Sequence, residues 1–185
     1  FESRGLGDVY KRQIKVTAFT RNIHQKGYIL KTQANPGYLE IVEGSIFDHK
    51  LIEKLFINAD LCVNLIGILF EKGKNNFNNI HVEFPKMISR YASTYKLEKF
   101  VHLSALGIEN AKDSIYAQSK LKGEEEILNN FDKAVIVRPS IVYSVDDNFT
   151  TQLMTLLGLL PIFPIYYNGK TKFRPIFCSD LTNSI

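Results

Sequence analysis

The feature that most constrains this chain is a regular alternation between short apolar runs and longer segments with helical spacing. Residues 14–20 and 39–43 are brief strand-like runs rich in β-branched and apolar side chains. Residues 61–68, 100–105 and 134–138 are almost continuously apolar, as strands buried on both faces of a parallel sheet are. Between them, 49–58 carries Leu51, Ile52, Leu55 and Phe56 on one helical face. Residues 77–97 repeat Ile80, Phe84, Met87, Ile88, Tyr91 and Tyr95 at three- to four-residue spacing. Pro85 inside that segment predicts a helix start or a kink. Residues 114–131 predict a third helix, with Asp113 or Ser114 as its cap, 149–160 a fourth, and 174–178 a last short strand. Strands alternating with helices in this way build βαβ units. The predicted class is α/β, a doubly wound parallel sheet with helices on both faces.

Composition limits the functions open to such a fold. The net charge is +4, and no run of Lys or Arg stands out, which argues against nucleic acid as a partner. No apolar stretch approaches the roughly 20 residues of a membrane span. The most apolar segment, 156–167, is broken by Pro161 and Pro164. With no signal peptide in view, the sequence predicts a cytoplasmic protein, peripheral at most to a membrane through a larger complex. Cys62 and Cys178 lie in strand-like runs and read as buried reduced thiols, a disulfide between them staying open. His24, His49, His81 and His102 lack ligand spacing, so no metal site is predicted. Residues 1–13 share none of the alternating pattern and read as a non-native segment, leaving 14–185 as the domain.

In a parallel sheet of this kind, ligands bind beyond the carboxyl ends of the strands. The residues there are Arg21 and Asn22, 44–48, Asn64 and Gly67, 104–107, and 139–143. The strongest constellation is Ser104, Tyr116 and Lys120. The spacing puts the phenol and the ammonium one helical turn apart on one face. A nearby positive charge favours a phenolate and would draw the phenol down towards acid/base use. Ser104, at a strand end, is placed to donate a hydrogen bond to a carbonyl or hydroxyl oxygen.

Here the chain resembles the short-chain dehydrogenase/reductase superfamily, whose Tyr-x-x-x-Lys motif follows a strand-end Ser. Arg138-Pro139-Ser140-Ile141-Val142-Tyr143, Phe173-Arg174-Pro175 with Asp180, and Gly44-Ser45-Ile46-Phe47-Asp48 resemble elements of its extended and atypical branches. Asn64-Leu65-Ile66-Gly67-Ile68-Leu69-Phe70-Glu71, His81-Val82-Glu83 and 102–107 look like the atypical group containing the NADPH-binding accessory subunit of respiratory complex I and its bacterial relatives. The resemblance covers 14–185. It implies a Rossmann-like fold truncated at both ends, without its first strand and glycine-rich loop, and with the C-terminal region beginning near 149.

The resemblance also implies roles. Tyr116 would be the general acid/base, Lys120 the ribose ligand that lowers its pKa, and Ser104 the substrate-orienting hydroxyl. The nicotinamide dinucleotide would lie against Arg21, Asn22, Ser45, Ile46, Asn64, Gly67, Tyr116, Lys120, Pro139, Ser140 and Ile141. Arg21, where an acidic residue would bind an NAD ribose, favours NADP(H) over NAD(H). The implied function is an accessory or assembly subunit of an NADH:quinone oxidoreductase of complex I type, with complex I subunits as partners. The alternative is an active NADP-dependent reductase or a sugar-nucleotide epimerase/dehydratase using Tyr116. Departures from the family pattern are Ser45 for the first Asp of its turn, Phe84-Pro85 for a Gly-Ala type pair, and Ser144 for Gly.

Overall fold

The computed structural model describes residues 14–24, 30–31, 37–144, 148–159 and 172–185. The non-native reading of 1–13 lies outside them. The described strands are all short and parallel: β1 (Val16–Thr20), β2 (Leu39–Glu43), β3 (Leu61–Asn64), β4 (Lys99–Leu103), β5 (Val135–Val137), β6 (Val142–Tyr143) and β7 (Ile176–Phe177). They pair as β1-β2, β3-β4-β5 and β6-β7. Register within the central sheet sets Asn64 opposite His102, and Leu103 opposite Val137. Pairing runs on past the strand ends, where Ser104 N–H donates to Val137 O (2.8 Å) and Leu106 N–H to Pro139 O (2.9 Å). The α/β parallel class is as the sequence predicts.

The helices follow their spacing. Helix α1 (His49–Phe56) starts at Asp48, whose carboxylate accepts from Leu51 N–H at 3.1 Å. It buries Ile52 and Phe56. The long segment predicted over 77–97 divides into a π-helical turn, Asn78–Glu83, and helix α2 (Phe84–Thr94), with Pro85 in the first turn of α2. There the missing proline N–H costs nothing. Helix α3 (Ile115–Asn130) is capped by Ser114, whose hydroxyl accepts from Ala117 N–H at 3.3 Å. Helix α4 (Asn148–Leu159) matches its predicted span within a residue at each end, and α5 (Cys178–Asn183) closes the described chain.

Two expectations need correction. The apolar run 61–68 is a strand only to Asn64, because Asn64 Oδ1 accepts from Ile66 N–H (3.1 Å) and turns the backbone out of the ladder. Nor is β3 buried on both faces: Leu61 is 47% and Val63 37% exposed. Cys178 begins α5 rather than ending a strand. Both cysteines are free, and burial pushes the Cys62 thiol up to about 12.

The core joins α1, α2 and α3 to the inner face of β4 through Ile52, Phe56, Ile88, Ala92, Phe100 and Ile127. Helix α3 and the π-helical turn approach closely. A Cβ on Gly123 would stand 1.8 Å from the His81 carbonyl oxygen, a backbone atom that cannot step aside. Gly123→Ala is therefore expected to destabilise the protein by about 3 kcal/mol or more, the upper part of the overpacking range. Denaturant unfolding checks this. An unchanged midpoint would show that the two elements separate at little cost.

Candidate functional site

The site is assembled where the central sheet ends. Lys120 is the residue around which it is arranged. Its position on α3 turns it inward, and it is only 5% exposed. The buried stripe of α3 runs Ala117, Lys120, Gly123, Glu124 and Ile127, so two opposite charges one turn apart occupy what is otherwise a core face. The ammonium donates to Leu103 O at 3.3 Å, its one hydrogen bond among the described residues. A Cβ on Gly67 would fall 3.2 Å from Nζ. The loop after β3 thus passes over the ammonium at a distance that suits glycine. An ammonium has three donors, so two are left to address a hydroxyl-bearing ligand.

Burial lowers the Lys120 pKa, and the charge of Glu124 opposes that shift. Glu124 is 3% exposed and is held by Arg138, whose Nε donates to Oε1 at 3.0 Å while Nη2 reaches Oε2. Burial alone would raise the Glu124 carboxyl, but Arg138 and the neighbouring Ser104 bring it below its usual value. By distance and angle, Ser104 Oγ and His102 Nε2 are both buried without a hydrogen-bond partner among the described residues.

Two histidines complete the interior of the site. His102, on β4, accepts at Nδ1 from Asn64 Nδ2 (3.0 Å), an assignment that leaves the proton on Nε2. His81, in the π-helical turn, accepts at Nε2 from Ile68 N–H (3.1 Å). Burial first, and the Lys120 charge second, lower both rings to about 4. Both are neutral at ordinary pH.

Tyr116 is half-buried, its ring edge-on to His81 (centroids 5.3 Å apart, 86°) and to Phe77 (5.8 Å, 76°). Its hydroxyl has no hydrogen bond among the described residues. The expectation that Lys120 draws the phenol down is corrected here. Burial raises the Tyr116 pKa, and the Lys120 charge acts on His81 and His102 instead.

The other predicted ligands occupy strand ends. Arg21 and Asn22 follow β1 in exposed positions, and Asn22 Oδ1 accepts from His24 N–H at 3.0 Å. Ser45 Oγ accepts from Phe47 N–H, and Ile46 is buried in the core. Asn64 is buried, with its amide committed to His102 and Ile66. Pro139, Ser140 and Ile141 are half-buried beyond β5. A groove of about 550 Å³ opens between the turn after β2 and the π-helical segment, lined by Ile46, Phe47, Asn79, Glu83, Phe84 and Met87. Of the predicted residues only Ile46 lines it.

Sequence reasoning missed the Glu124–Arg138 pair and the roles of His81 and His102. Glu124 had a signal: it continues the Tyr116–Lys120 spacing by one more helical turn. The histidines stood in segments that carry the resemblance, His81-Val82-Glu83 and 102–107, but nothing there assigned them a role.

The sign of the pH dependence follows from the two histidines. Each holds a folded pKa near 4, below the ordinary 6.5, so each takes up a proton on unfolding between those values. Stability should be flat above about pH 6.5 and fall as pH drops towards 4, with His102→Gln removing about one proton from the uptake. Thermal unfolding midpoints across that window test this. A midpoint that rises on acidification would contradict it.

No family model matches the chain. It is 26% identical over 156 residues to mouse mitochondrial NADH dehydrogenase [ubiquinone] 1 alpha subcomplex subunit 9, covering 84% of this chain and 41% of that protein. It is 22% identical over 157 residues to the mitochondrial NADH-ubiquinone oxidoreductase 40 kDa subunit of Neurospora crassa, covering 84% and 40%. The chain thus spans about two fifths of the length of these curated relatives. Its backbone superposes on UDP-glucuronic acid 4-epimerase of Bacillus cereus, solved with UDP-glucuronic acid and NAD, with a TM-score of 0.72 at 19% identity over 97% of this chain and 67% of that one. In fold the chain is similar to this NAD-bound epimerase, and in sequence to the two NADH dehydrogenase subunits.

Proposed function

We propose that the chain is the dinucleotide-binding portion of an accessory or assembly subunit of NADH:quinone oxidoreductase, and that it binds its nucleotide for structure rather than turnover. The observation that carries this is the state of the Ser104–Tyr116–Lys120 set. Lys120 keeps donors free beneath a glycine loop, as a ribose site needs, while burial raises the Tyr116 phenol and its hydroxyl has no hydrogen bond among the described residues. The similarity to the two NADH dehydrogenase subunits supports the partner. On this reading the partner surface belongs to a larger protein peripheral to the membrane. Among the described residues no helix is long and apolar enough to cross one.

The nucleotide would lie across the ends of β1, β3 and β4, with its ribose hydroxyls at Lys120 and its nicotinamide beside Tyr116. Bound NADP(H) would supply the hydride chemistry; the chain would orient it. Arg21 makes no ion pair among the described residues and is available to a 2′-phosphate, which favours NADP(H). Among the described residues, β1 pairs only with β2 and β3 only with β4. We read the gap between β1 and β3 as the place of a further parallel strand whose glycine-rich turn would cradle the pyrophosphate. The region from about 149 would begin the part that faces substrate or partner.

The second reading is an active reductase or epimerase/dehydratase using Tyr116. It rests on the complete trio and on the fold shared with the epimerase.

The variants Tyr116→Phe and Lys120→Met separate the two readings. In cells lacking the native gene, Tyr116→Phe should restore oxidoreductase assembly fully and change the NADPH dissociation constant less than about threefold. Lys120→Met should weaken binding by about tenfold or more, the scale of a lost charge-assisted contact. Turnover that depends on the Tyr116 hydroxyl, with assembly unaffected by deleting the protein, would favour the enzyme.

A further inference from the structure

His81 joins the loop after β3 to α3 through hydrogen bonds at both ring nitrogens. It is 1% exposed. Its Nε2 accepts from Ile68 N–H in the loop carrying Gly67, and a Cβ on Gly67 would stand 3.8 Å from the same nitrogen. Its Nδ1 lies 2.9 Å from Ser119 Oγ on α3. The Ser119 hydroxyl donates its only proton to Tyr116 O at 2.7 Å, so its oxygen must accept from His81 Nδ1–H. Both ends of the ring therefore require the same form, neutral with the proton on Nδ1. The ring also stacks on Phe77 (5.3 Å, 19°) and meets the edge of Tyr116.

We propose that His81 is a positioning residue whose neutral ring fixes the Gly67–Ile68 loop to the Tyr116 turn of α3, so that the nucleotide-facing loop and the phenol keep one spacing. This rests on the reading of the site as a nucleotide site. A second proton on the ring would set Nε2–H against Ile68 N–H, two donors face to face, and undo the link. The titratable groups facing the ring are Lys120 and Tyr116 from α3 and His102 from β4. The ammonium disfavours that proton, and the two uncharged groups add nothing to invite it.

The test compares the full protein with His81→Gln, which can still accept from Ile68 N–H, and His81→Phe, which keeps a ring but neither hydrogen bond. Nitrogen-15 correlation spectra of the unaltered protein should show the proton on Nδ1 at neutral pH. Ile68 amide exchange should quicken by about a hundredfold in His81→Phe and stay within about tenfold in His81→Gln. The NADPH dissociation constant should rise about tenfold in His81→Phe, be largely rescued in His81→Gln, and be flat in the unaltered protein from pH 7.5 to 5.5. A proton on Nε2, or equal Ile68 exchange in all three proteins, would overturn the proposal. If the unaltered protein binds no NADPH, the nucleotide reading fails while Ile68 exchange still decides the role of His81. If His81→Phe does not fold, the tautomer decides it.

Discussion

An ammonium ion held in the protein interior governs the rest of this structure. A lysine head group removed from water is unfavourable unless charge and hydrogen bonds replace its hydration. Lys120 meets that demand with the Leu103 carbonyl at the end of β4 and with Glu124 one helical turn further along. Glu124 is itself buried and needs Arg138, which follows β5. The charge chain therefore ties α3 to the ends of two neighbouring strands. What remains of the ammonium's hydrogen-bonding capacity points to where the β3 loop passes over it, with Gly67 leaving the space.

The same constraint explains the neighbours. Burial first, and the nearby ammonium second, keep His81 and His102 neutral, so they act as fixed hydrogen-bonding spacers. The π-helical turn brings His81 to this position: its backbone carbonyl rests on Gly123, where the absence of a Cβ lets α3 and the turn touch. A regular helix start would advance the side chains by a different angle. Extra-wide turns of this kind often occur where a functional side chain must be aimed. Packing, electrostatics and the aim of the site are thus joined through one glycine and one lysine.

Much of this was legible in the sequence. Strand and helix alternation gave the parallel α/β class, and the strand-end serine with Tyr116 and Lys120 marked one side of α3. What could not be read depends on tertiary neighbours. The run 61–68 looked like a long buried strand, but one side-chain hydrogen bond from Asn64 ends it after four residues. The Tyr116–Lys120 spacing predicted a lowered phenol, since both share a helix face. In the fold, the ammonium turns towards the sheet end and the histidines, and burial governs the phenol instead. Spacing determines which side chains share a face; it does not determine which charge each one meets.

The central claim is that Lys120 is buried in readiness for the ribose of a nicotinamide dinucleotide beside Tyr116. A crystal structure of the protein with NADPH tests it directly. The account predicts ribose hydroxyls within hydrogen-bond distance of Lys120 Nζ, about 3 Å, beneath the Gly67 loop and with the nicotinamide ring next to Tyr116. A nucleotide bound elsewhere, with the ammonium still enclosed by protein alone, would contradict it.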